Sequence, residues 1–105
     1  MNAVYLYLTT KGRKTGRDRE IEIWFTELGG RFYVISEKWD EAHWVQNLRR
    51  EPWVRFRVGD SKHEGPARAL DGEEDAELAR CVRQLSDEKY GWSAGLVVEL
   101  RPDRR

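Results

Sequence analysis

The chain has 105 residues, 19 Lys and Arg against 19 Asp and Glu, one cysteine and two histidines. That length carries a single domain, residues 1–105, with one modest core. Zero net charge argues against a whole-protein grip on nucleic acid, and one cysteine excludes an intramolecular disulfide. The histidines and the cysteine have no zinc-site spacing, so no metal is expected. No apolar run is long enough to span a bilayer and no signal peptide is legible, so cytoplasmic residence is expected.

Residues 4–8 alternate and predict a strand. Residues 20–25 alternate more cleanly, with Ile21, Ile23 and Phe25 on one face. Gly29-Gly30 then predicts a hairpin turn into a third strand at 31–36, so the first three strands form a meander. A helix is predicted from Asp40, as its cap, to about residue 51, just before Pro52. Residues 53–58 read as a strand with Val54, Phe56 and Val58 on one side and Arg55 and Arg57 on the other. After Gly59-Asp60 comes a weaker strand, 62–70, whose Pro66 implies an edge or a bulge. A second helix is predicted over 72–90, with Asp71 and Glu74 as a capping box and Leu78, Cys81, Val82 and Leu85 as its buried stripe. Gly91 ends it, residues 95–100 form the last strand, and Pro102 onward is expected to fray. Of the five tryptophans, Trp24 and Trp53 are expected in the core. A small antiparallel barrel of about six strands with two helices is the economical way to bury this pattern.

The charge is unevenly placed. Residues 11–19 carry five cations and one anion, while residues 71–77 carry five anions. A basic turn pinned between two strands presents backbone N–H groups and guanidinium forks to one small anion, and Gly12 and Gly16 let backbone approach it. No nucleophile elbow, legible triad, GxGxxG or Walker motif is present, so any catalysis relies on a bound cofactor.

Two blocks carry a resemblance. The first is Leu8-Thr9-Thr10-Lys11-Gly12-Arg13-Lys14-Thr15-Gly16-Arg17-Asp18-Arg19. The second is His43-Trp44-Val45-Gln46-Asn47-Leu48-Arg49-Arg50-Glu51-Pro52, followed by Trp53-Val54-Arg55-Phe56-Arg57-Val58-Gly59. In order and spacing they resemble the deazaflavin-dependent nitroreductase family. The likeness runs from about residue 5 to residue 60; beyond it only the pattern of elements matches.

The resemblance implies a split β-barrel of the FMN-binding type. It implies 8-hydroxy-5-deazaflavin (factor 420) as the coenzyme and hydride transfer to an electron-poor small molecule such as a quinone or nitroaromatic. It also implies a homodimer. The cofactor-binding set it implies is Gly12, Arg13, Lys14, Thr15, Gly16, Arg19, Ser36, Lys38, Trp44 and Asn47. Arg13, Lys14, Thr15 and Arg19 fall where the family binds the acidic tail, and Trp44 and Asn47 where its helix lies near the cofactor. No catalytic residue is implied.

The chain departs from the family at Glu22, near which a proline is usual, and at Lys38-Trp39-Asp40, which replaces a K-G-G loop. Tyr90 and Trp92 alone stand for a tyrosine-rich segment that lines the acceptor pocket of larger members. The alternative is a non-catalytic barrel that binds FMN or another anionic amphiphile. A single-strand nucleic-acid barrel reading draws on Arg55, Arg57 and the aromatics, but zero net charge weighs against it.

Overall fold

Alternation closes into a barrel. In the computed structural model, which describes residues 3–103, the strands are β1 (Tyr5–Lys11), β2 (Asp18–Leu28), β3 (Arg31–Ser36), β4 (Trp53–Val58), β5 (Ser61–Ala69) and β6 (Leu96–Leu100). The helices are α1 (His43–Arg50) and α2 (Ala76–Tyr90). All pairings are antiparallel, in the order β1-β2-β3-β6-β5-β4, and β4 returns to β1. This is the expected mainly-β split barrel with two helices.

Inward residues of every strand make one core: Leu6, Leu8, Phe25, Phe32, Val34, Val54, Phe56, Ala67, Val98 and Leu100 are among them. Val45 and Leu48 of α1 join it, so α1 plugs one mouth of the barrel. A second cluster lies outside the barrel wall, where Tyr33, Ile35 and Val97 meet Leu70 and Val82 under α2. β3 and β6 are therefore covered on both faces. Glu99, 4% exposed on β6, accepts from Tyr33 Oη at 2.9 Å, Arg68 Nε at 3.2 Å and Arg31 Nη1 at 3.3 Å. Burial, with this bond to Glu99, pushes the Tyr33 phenol up to about 12.

The barrel is split at one seam. β2 pairs with β1 through residues 18–24 but with β3 only through residues 25–28. Among the described residues, no strand pairs with the second edge of β2 over residues 18–24. Below the seam, Gly29 and Gly30 both take positive φ, 61° and 78°, which suits the two-residue hairpin turn.

Several expectations are corrected. The first helix does not run from Asp40. A short 3-10 turn, Trp39–Glu41, is followed by extended Ala42, and α1 starts only at His43. Asp40 caps nothing; its carboxylate pairs with Arg49 at 2.6 Å. α2 begins at Ala76 because Asp71 caps a preceding turn, its Oδ1 accepting from the N–H groups of Glu73 (2.8 Å) and Glu74 (3.0 Å). Those two bonds hold the Asp71 carboxyl below its usual range.

Cys81 is exposed rather than buried. The covered stripe of α2 is centred on Val82 and takes in Ala79 and Ser86, and Cys81 lies about 100° around the helix from Val82. Trp24 and Trp53 are 39% and 38% exposed, because both stand on outward phases of their strands. Pro66 marks no edge: β5 changes partner there, from β4 to β6. Residues 102–103 do not fray, since Asp103 N–H donates to Glu64 O at 2.9 Å; residues 104–105 lie outside the described residues.

Candidate functional site

The first motif folds into a tight turn over residues 12–17. Gly12 N–H donates to Arg17 O at 2.7 Å, and Gly16 N–H to Gly12 O at 2.8 Å. Gly16 sits at φ 71°, a conformation that side chains disfavour. Thr15 Oγ1 accepts from Arg17 N–H at 3.2 Å, which leaves its own O–H to donate outward.

α1 braces this turn from the barrel mouth. Asn47, 4% exposed, accepts at Oδ1 from Arg13 N–H (3.2 Å) and Arg13 Nη1 (3.1 Å). Its Nδ2 donates to the buried hydroxyl of Thr10 at 3.2 Å. Arg13 Nη2 lies 3.4 Å from His43 Nδ1, and since a guanidinium only donates, the histidine nitrogen is the acceptor of that contact.

Beside the turn, along the seam, lies a cleft of about 1190 Å³. The predicted residues Gly12, Arg13, Lys14, Thr15, Arg19, Ser36, Lys38, Trp44 and Asn47 all line it; Gly16 does not, and serves only to shape the turn. Ala42 and His43, at the start of α1 with no side-chain cap, also line it, so the positive end of that helix lies at its wall. Ser36 is buried and donates its hydroxyl to Trp39 O at 2.9 Å, so it braces the loop that carries Lys38.

Among the described residues, five arginines outside the cleft are held in ion pairs. Arg31 and Arg68 are paired with Glu99, Arg49 with Asp40, Arg55 with Asp18 and Arg80 with Glu77. Lys14, Arg19 and Lys38 line the cleft exposed, with no ion-pair partner among the described residues. The outward face of β4 is no open basic strip, because Arg55 is paired and Arg57 stacks on Tyr7 at 4.4 Å.

At the far end of the cleft, sequence reasoning names only Trp92, as part of what lines an acceptor pocket. Tyr5, Ile21, Ile23, Trp24 and Ile35 line it together with Trp92. A signal for Trp24 was present: a strand that turns Ile23 and Phe25 inward must turn Trp24 outward. The cleft thus joins an anion-binding end to an apolar, aromatic end. Its donors fit the phosphate and carboxylates of a flavin-like coenzyme with an acidic tail, and its walls, from Trp44 to Trp24, offer faces for flat rings.

Solved structures share the architecture. An F420-H2 dependent reductase (FDR-A) superposes with a TM-score of 0.73 at 24% identity, with 96% of each chain covered. HutZ, the heme storage protein of Vibrio cholerae, gives 0.79 at 17% identity, covering 98% of this chain and 84% of that one. A domain-swapped dimer gives 0.67 at 24% identity, covering 96% and 82%. No curated protein matches the chain. Residues 1–95 match the family model of the F420H(2)-dependent quinone reductases. That match takes in the basic turn, the seam and α1, and the chain belongs to the F420H(2)-dependent quinone reductase family.

Proposed function

We propose that the cleft holds reduced factor 420 by its anionic tail, with Arg13, Lys14, Thr15 and Arg19 as the tail's donors and Trp44 beside the ring. Family membership makes the chain a deazaflavin-dependent oxidoreductase with 8-hydroxy-5-deazaflavin as coenzyme; FMN, or a barrel without catalysis, is not favoured. The observation that carries the assignment of residues is that Lys14, Arg19 and Lys38 line one cleft together, exposed and without an ion-pair partner among the described residues.

When bound, the reduced coenzyme supplies a hydride to an electron-poor small molecule. The chain's own residues bind, orient and shield. Lys14 and Arg19 neutralise the tail, while Lys38 guards the opposite rim. Asn47 and Ser36 act at second hand, by fixing Arg13 and the loop after β3. Ile21 and Ile23 give an apolar floor that keeps water from the ring.

Charge-assisted hydrogen bonds are worth about 1.5–3 kcal/mol each, so Lys14→Ala is expected to weaken coenzyme binding roughly tenfold to a hundredfold. Its salt dependence becomes shallower. Arg55→Ala, outside the cleft and paired with Asp18, leaves binding unchanged. Fluorescence titration of coenzyme into each variant checks both, and equal losses from the two overturn the assignment.

We also propose that two copies pair and that the protein is cytoplasmic. Pairing is supported by the exposed apolar residues Val4, Leu28 and Trp53 outside the cleft, and by the domain-swapped dimer formed by a relative of the same fold. Sedimentation showing monomer alone at micromolar concentration overturns it.

A further inference from the structure

We propose that Trp24 is the platform on which an uncharged, planar electron acceptor stacks. The proposal rests on the reading of the same cleft as a coenzyme site and names the acceptor's place in it.

Three observations converge on this indole. It is exposed and lines the cleft, yet it is not loose. Its ring stacks on Tyr90 with centroids 4.5 Å apart and planes 7° from parallel, and meets Trp92 edge-on at 6.4 Å. Tyr90 is itself fixed: its Oη lies 2.6 Å from Val4 O and accepts from Phe25 N–H at 3.2 Å. One face of Trp24 is therefore backed by a ring that does not move, and the residue remains open to a second ring. A platform immobilised beforehand loses little freedom when a ligand lies on it.

Position separates this platform from the tail site. Trp24 is five residues along β2 from Arg19, roughly 16 Å at the rise of a strand. The cations that line the cleft are Arg13, Lys14, Arg19 and Lys38, on the turn and on the loop after β3. Lys89, next to Tyr90, does not line the cleft: its Nζ is turned to Phe25, donating to Phe25 O at 3.0 Å and lying 3.9 Å from the Phe25 ring centroid. The aromatic end thus offers stacking surface without an anion partner, which selects an uncharged ring. The cleft's volume of about 1190 Å³ exceeds the usual range for one ligand, roughly 300–1,000 Å³, so it has room for coenzyme and acceptor together.

The test uses 2-methyl-1,4-naphthoquinone as the acceptor probe. It is titrated calorimetrically into the coenzyme-free protein, and its KM is measured separately with reduced factor 420. Trp24→Leu is expected to raise both the Kd and the KM of the quinone about tenfold, the worth of one good aromatic stack. The kcat and the coenzyme Kd stay within about twofold. Trp24→Phe, which restores a ring, recovers most of the loss. Trp24→Thr, suited to a strand, replaces Trp24→Leu should that variant fail to fold.

Quinone binding that depends on Trp24 in a protein that binds no coenzyme upholds the platform and removes the coenzyme reading. Coenzyme binding with quinone affinity unchanged in Trp24→Leu overturns the platform. So does a loss of coenzyme affinity alone, which would put the coenzyme's own ring on Trp24, and so does absence of saturable quinone binding to the parent.

Discussion

Gly65→Ala is expected to lose about 3 kcal/mol of stability or more, with a melting temperature lower by roughly 10–20 °C. A Cβ at residue 65 would stand 1.9 Å from Arg101 O and 3.0 Å from both Arg101 C and Asp103 N. These are backbone atoms, which cannot swing aside as a long side chain does. They are also tied to β5, since Arg101 N–H donates to Pro66 O at 3.1 Å and Asp103 N–H to Glu64 O at 2.9 Å. Relief of the clash means breaking those bonds and lifting the chain after β6 off the barrel. Gly72→Ala, where a Cβ meets nothing within 4 Å, is the matched control and shifts stability by no more than about 0.5 kcal/mol. Urea unfolding of the two variants decides the matter; similar midpoints would mean that the approach of residue 101 to residue 65 does not constrain the fold.

Asn47→Ala carries the second large effect, on stability and binding together. It strips the buried Thr10 hydroxyl of its donor and Arg13 of an acceptor shared by two N–H groups. Groups left unsatisfied in this way cost about 1–3 kcal/mol, so a loss of roughly 2 kcal/mol is expected in urea unfolding. Coenzyme affinity falls about tenfold as the turn loosens and Arg13 loses its aim. Asn47→Asp separates the two roles. A carboxylate still accepts from Arg13, and the Thr10 O–H turns to donate to it, so most stability returns. The added negative charge stands beside an anion site, so affinity stays low. Restored affinity in Asn47→Asp would show that the tail does not feel a carboxylate at this position and so overturn the placing of the tail beside Asn47.

The sequence was most legible where local rules govern alone. β4 was located by alternation, and β3 and β6 by short apolar runs, almost to the residue; those two runs are continuous because both faces of their strands are covered. β1 and β2 run further into the basic turn than their apolar residues suggest. Thr10 and Lys11 are held in the strand by pairing with Arg19 and Asp18, which no local pattern announces. The start of α2 misled for a physical reason: an Asp that caps a turn makes the same two bonds to N–H groups as an Asp that caps a helix. The basic end of the cleft was legible because cation density and glycine spacing lie within eight residues. At the aromatic end only Trp92 was legible; Trp24 was expected in the core, because its place depends on Tyr90 and Trp92, more than sixty residues away.

The open seam of the barrel bears on how the protein survives without its ligand. A strand edge with free N–H and C=O groups invites a second chain to add to it. Here that edge belongs to residues 18–24, whose outward positions include Asp18, Glu20 and Glu22. Asp18 is paired with Arg55, but Glu20 and Glu22 have no ion-pair partner among the described residues, so two such edges repel when they align side by side. Glu20 and Glu22, which line the cleft beside the anion site, thus also set like charge along the open edge and disfavour its pairing with the same edge of another copy.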